Sequence, residues 1–157
     1  MKYPLKQLIA HCIEPEGFNR MDLIPRYLAV GNHVGANDYG WDIYSKMMDI
    51  VERGKRTSEQ QRENFISLID TVGNETFDLE EHPLLFKTGT WRLADGAHRL
   101  SCALYFGHGT ISMVMDNKAK LHDFIGIDWF EKRDFTREQV RQILRARDDI
   151  YKRLELL

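Results

Sequence analysis

The sequence predicts an α+β fold: a single compact domain with a small mixed sheet and flanking helices. Three observations predict it. Helical and strand-like patterns alternate in the order helix, strand, two helices, hairpin, helix, strand, helix. The strand patterns are few and short, so the sheet is small. No repeat, low-complexity tract or linker divides the 157 residues, so the chain reads as one domain over 1–157 with helical extensions at both ends.

Each element has its own signal. Leu5, Leu8, Ile9 and Ile13 recur at helical spacing within residues 3–13. The run from Ile24 to Val30 reads as a strand that ends in a Gly/Asn-rich loop, Gly31 to Gly40. A helix follows from Trp41 to Arg53, burying Tyr44, Met47, Met48 and Val51. Thr57 and Gln60 fit a capping box opening the next helix, whose stripe is Phe65, Leu68, Ile69 and Val72 and whose stop is Gly73.

Leu84–Lys87 and Thr90–Leu93 read as strands across the turn Thr88-Gly89. Asp95-Gly96 breaks that pattern, and a helix from Ala97 to Phe106 stops at Gly107. Ile111, Met113 and Met115 alternate with Ser112 and Val114, as in a half-buried strand. Asp128-Trp129-Phe130 and Asp134-Phe135 read as an aromatic-anchored turn used for packing. Thr136 and Gln139 open a last helix lined inwardly by Val140, Ile143, Leu144, Tyr151 and Leu154. Its arginines, Arg141, Arg145, Arg147 and Arg153, read as a solvated face with intrahelical ion pairs. That helix is open to three uses: closing a pocket, packing on the domain, or forming a homodimer.

Composition narrows the function. Charged residues are 29% of the chain, yet the net charge is only -2, which disfavours a protein that coats nucleic acid. Cys12 and Cys102 have no metal or redox spacing and suit reduced thiols. The six histidines show no zinc spacing, so no metal-ligand residue is assigned. The segment Met1–Lys6 lacks a signal-peptide run and no stretch is apolar enough for a membrane span, so the expected location is cytoplasmic.

The richest segment runs from Trp91 to Leu104. It reads as a strand, a tight turn and a helix with His98 and Arg99 in its first turn. Backbone N–H groups at the turn, the positive end of the helix and an arginine fork all suit a phosphate. Asp95 beside such a cradle fits a proton acceptor or a metal contact. Asp-Gly is also a common hairpin turn, which is the structural alternative for Asp95-Gly96.

The segment Leu93 to Gly107 resembles the signature of the ParB/sulfiredoxin superfamily, in which a strand leads into a DG-x-HR turn and a small-residue helix ends at Gly. His82-Pro83-Leu84-Leu85-Phe86 is similar to the strand before that signature, and Thr110–Val114 to the strand after it. The resemblance covers about residues 57–115. It implies a nucleotide held through the turn, with Gly96, Ala97, His98 and Arg99 on the phosphates. Ser101 joins that set, with packing as its other reading. Ala97 stands where sulfiredoxin chemistry needs cysteine, and ParB's arginine signature and helix-turn-helix are missing. What remains is the small-molecule kinase branch, similar to free serine kinase. It implies ATP or ADP with Mg²⁺, a small-molecule acceptor such as an amino acid or sugar, and Asp95 and His98 as catalytic groups.

The loop Asn32–Trp41 is a second candidate region. Asp38 is a candidate general base there, with capping of the following helix by Asp38 or Asn37 as the structural alternative. The expected function is a nucleotide-dependent phosphotransferase. The alternatives are a non-catalytic nucleotide-binding module and a ParB-like DNA-associated protein or nuclease.

Overall fold

The structure is a computed structural model that describes residues 1–14, 17–52 and 57–156. Its elements are β1 (Lys2–Pro4), α1 (Leu5–Ala10), β2 (Ile13–Glu14), β3 (Gly17–Phe18), α2 (Leu23–His33), α3 (Gly40–Glu52), α4 (Ser58–Gly73), β4 (Leu84–Lys87), β5 (Leu93–Asp95), α5 (Ala97–Tyr105), β6 (Thr110–Asp116), α6 (Ile127–Glu131) and α7 (Arg137–Arg153). The α+β expectation holds: among the described residues there are seven helices, a mixed four-stranded sheet and a small two-stranded ladder. None of these helices is long and apolar enough to cross a membrane.

The sheet order is β1-β6-β4-β5. β6 runs parallel to β4, while β1 and β5 are antiparallel to their neighbours. The N-terminal segment contributes a strand to the sheet as well as the helix α1, because Lys2–Pro4 pair with Thr110–Ser112 before α1 begins. Met115 was expected inside, but Val114 and Met115 are both exposed. The physical reason is length: β1 covers β6 only as far as Ser112, so the far end of β6 has one neighbour instead of two.

The main correction concerns Ile24–Val30, which is helical rather than extended. All residues from Leu23 to Gly31 are buried in α2, which packs against α3, α4, α5 and α7. A helix enclosed on every side shows no amphipathic period, so its apolar run imitates a buried strand. Pro25 is tolerated because it sits in the first turn, where its missing N–H has no intrahelical partner.

Both Thr-x-x-Gln signals form complete capping boxes, at Thr57–Gln60 and Thr136–Gln139. The Trp41 helix forms and buries Tyr44, Met47 and Met48 as expected, but Val51 is exposed; the anticipated last residue, Arg53, lies outside the described residues. Glycine is required at position 40, where α3 begins, because the chain passes so close to α2 that a Cβ would lie 2.0 Å from the Leu28 carbonyl oxygen. The long α7 packs on the domain through Ile143, Ala146, Ile150 and Tyr151. Phe130 and Phe135 are buried beneath it, as the packing reading of that aromatic segment expected.

The second strand of the hairpin lies later than expected, at Leu93–Asp95. The turn takes up Thr90, whose N–H and hydroxyl both donate to the Lys87 carbonyl at 3.1 and 2.9 Å. Asp95 consequently ends a strand, paired with Leu85, immediately before α5.

Candidate functional site

Gly96 is what turns the chain from β5 into α5. Its φ is +110°, a left-handed conformation that a side chain resists, and a Cβ there would lie 2.5 Å from Leu84 Cδ2. Glycine offers no side chain to cap the helix, and no side-chain hydrogen bond closes this N-terminus. The first-turn amides therefore stand at the mouth of a cavity of about 350 Å³, lined by Gly96, Ala97 and His98 on this side.

The floor of that cavity carries three charged groups that sequence reasoning did not select. Arg20 grips Asp22 with two hydrogen bonds, Nε to Oδ1 at 2.8 Å and Nη2 to Oδ2 at 2.9 Å. Arg26 approaches the same carboxylate from one helical turn on, with Nη1 at 3.3 Å from Oδ2 and 2.7 Å from the Asp22 carbonyl oxygen. One carboxylate thus serves two guanidiniums, and one positive charge is left over. Arg26 Nε is buried with no hydrogen-bond partner among the described residues.

The titration behaviour follows from that imbalance. Burial disfavours the Asp22 carboxylate, but Arg20, its hydrogen bonds and Arg26 outweigh burial and hold its pKa below the ordinary value. Burial also works against Arg20, and Asp22 overcomes it, leaving that pKa raised. For Arg26 burial wins, and the pKa is pulled down despite Asp22. A buried cation in this condition gains most from an added anion.

No family model, no curated protein and no solved structure matches the chain.

The expected site residues divide into those at the cavity and those turned away from it. Asp95, Gly96, Ala97 and His98 all line it. The Asp95 side chain is 74% exposed and forms an ion pair with Arg99 Nη2 at 3.3 Å. His98 has no positive charge to offer. Burial, aided by Arg26 and Arg99 and opposed by Asp22, pushes its imidazole well below the ordinary value. Its Nε2 shares a hydrogen bond with the Tyr44 hydroxyl at 3.0 Å, and its ring sits edge-on to Phe65.

Three expected positions lie off the cavity lining. Arg99 does not line the cavity: its Nη1 donates to the His82 and Pro83 carbonyl oxygens at 2.8 and 3.0 Å. Successive residues on a helix point in different directions, so a first turn that faces His98 inward carries Arg99 away. Ser101 is fully buried, and its hydroxyl donates to the Ala97 and Leu23 carbonyl oxygens at 2.8 and 3.3 Å. It fastens α5 to α2, as its packing alternative had it. Asp38 is exposed on the loop after α2 and does not line the cavity.

That loop is built around its asparagines. Asn37 Oδ1 accepts from the N–H groups of Tyr39 and Gly40 at 3.1 and 2.8 Å, and Asn32 Oδ1 from that of Trp41 at 3.0 Å. Its polar side chains satisfy the start of α3, which is the capping reading with Asn37 as the cap. Cys102 is buried as expected, and burial pushes its thiol up to about 12.

The missed residues had a readable signal. Asp22 and Arg26 are spaced four apart inside an otherwise apolar run, which on a helix places them on one face. Reading the run as a strand hid that pairing.

Proposed function

We propose that this chain binds the phosphates of a nucleotide at the N-terminus of α5 and transfers a phosphoryl group to a hydroxyl of a small molecule. The observation that carries the reading is Arg26: a buried guanidinium with an orphaned Nε, half-served by a shared carboxylate, beside uncapped helix amides. An anion with several oxygens satisfies both the amides and the surplus charge, and a phosphate does so at a helix N-terminus. The resemblance of residues 93–107 to the ParB/sulfiredoxin superfamily supplies the nucleotide and the kinase branch. Arg20 and Arg26 take the neutralising role that the resemblance implies for Arg99.

Transfer of this kind rests on positioning and charge neutralisation. The α5 amides and the Arg20–Arg26 floor hold the phosphates. Asp95, on the exposed lip, accepts the proton of the acceptor hydroxyl as the new P–O bond forms and the bond to the leaving phosphate breaks. His98 stays neutral and positions the first turn of α5 against α3. No cluster of three metal-ligating side chains occurs among the described residues. Mg²⁺ fits here as an ion carried on the phosphates, with Asp95 or Asp123 lending a carboxylate, and it would neutralise charge on the transferred group.

The Asp95–Arg99 ion pair favours a second reading, a nucleotide-binding module without chemistry, since it engages the one proton acceptor on the α5 side. Calorimetry with ATP, ADP and CTP in Mg²⁺ tests the shared premise. The parent and Arg99→Ala are expected to bind, and Arg26→Met to lose binding while its Arg20–Asp22 pair stays balanced. Absence of binding to every nucleotide by the parent sinks both readings. Binding without turnover on any acceptor leaves the second.

A further inference from the structure

A second cavity, of about 380 Å³, adjoins the first, and Arg20, Arg92 and Phe124 line both. Its other walls include His11 and Trp91. The Trp91 ring is stacked on His11 at 4.2 Å with only 5° between their planes, and Tyr3 backs Trp91 at 4.7 Å. His11 is exposed, so the outer member of this stacked pair is open to solvent. Phe124, in the same lining, is 51% exposed, with the Arg92 guanidinium 3.9 Å from its ring centre. Arg92 is itself held by donation to the His122 carbonyl oxygen at 2.6 Å.

We propose that this second cavity is the nucleobase subsite of the same ligand. The inference rests on the phosphate reading above. A flat heterocycle meets aromatic faces on His11 and Phe124 and a guanidinium plane on Arg92, and every base can stack on such surfaces. The common wall of Arg20, Arg92 and Phe124 places the sugar between the two cavities, so a single nucleoside polyphosphate spans both. Phe124 is exposed and is not among the core residues. The subsite binds through ring faces, so it selects for the presence of a base.

The test compares ATP and CTP with inorganic tripolyphosphate by calorimetry, all with Mg²⁺, on the parent, Phe124→Ala and His11→Ala. The nucleotides are expected to bind about tenfold more tightly than tripolyphosphate, an advantage that both variants reduce while leaving tripolyphosphate affinity unchanged. Tripolyphosphate binding as tightly as the nucleotides overturns the base subsite and leaves the phosphate cavity standing. Variants that alter self-association, followed by sedimentation, without altering nucleotide affinity also overturn it and assign the patch to a second copy. Failure of all three ligands to bind the parent overturns the phosphate reading and the subsite together.

Discussion

His98 Nε2 lies 3.0 Å from the Tyr44 hydroxyl, which ties the first turn of α5 to α3 at the cavity that His98 lines. Burial pushes the Tyr44 phenol up and the His98 imidazole down, so both partners are neutral near pH 7. Tyr44→Phe leaves the imidazole nitrogen without its partner and is expected to cost about 1–3 kcal/mol in urea unfolding. The same pair sets a pH dependence. The folded His98 value lies below 6.5 and the unfolded chain binds its proton first, so stability is full above 6.5 and falls as pH drops from there. His98→Gln is expected to flatten that part of the stability curve. An unchanged slope between pH 6.5 and 5 removes His98 as its source, with both limits of that range taken about the ordinary histidine value.

Asp22 holds two guanidiniums, and its loss exposes both. Asp22→Asn is expected to destabilise the protein by about 3–5 kcal/mol, the scale for breaking a buried ion pair on one side. Phosphate or a nucleotide is expected to recover part of that loss by compensating the arginines. Chemical unfolding with and without ligand reads both effects. A loss within the scatter of surface substitutions means the triad is solvated.

Ser101→Ala separates packing from ligand contact. The hydroxyl is buried and bonded to backbone carbonyls, so stability is expected to fall by about 0.5–1.5 kcal/mol with nucleotide affinity unchanged. Asp38→Ala is expected to move stability by no more than about 0.5 kcal/mol and to leave turnover intact. A large fall in affinity for Ser101→Ala, or in turnover for Asp38→Ala, returns those residues to the site.

Asp95→Asn tests chemistry directly. As proton acceptor, Asp95 is expected to contribute about 10²–10⁴-fold to turnover, with nucleotide affinity retained or improved once its charge is gone. Equal turnover in the variant assigns the proton to another group. Affinity lost together with turnover places Asp95 in binding rather than in catalysis.

Much of the architecture was legible because its signals are local. The capping boxes at Thr57 and Thr136, the break at Asp95-Gly96 and the stop at Gly107 each depend on residues within a few positions of one another. The strand–turn–helix that presents Gly96, Ala97 and His98 was legible for the same reason. That Arg99 and Ser101 lie off the cavity was not legible, because the helix was foreseen but not its rotation about its own axis. That rotation is decided by which of its residues α2 and the 82–83 segment receive.

The sequence by itself determined the class of the fold, the starts of its capped helices and the exposed amides at the head of α5, since these follow from propensity, period and backbone conformation within short segments. Only the tertiary structure decided that Ile24–Val30 is a central helix, because burial on every side erases the period that distinguishes helix from strand. By making that segment a helix, it also placed Arg26 one turn after Asp22 and brought Arg20, Asp22 and Arg26 beneath the turn at Gly96. The charge itself comes from one short segment, residues 20–26, and it lies beside the turn at residues 95–98 only once the two are packed together.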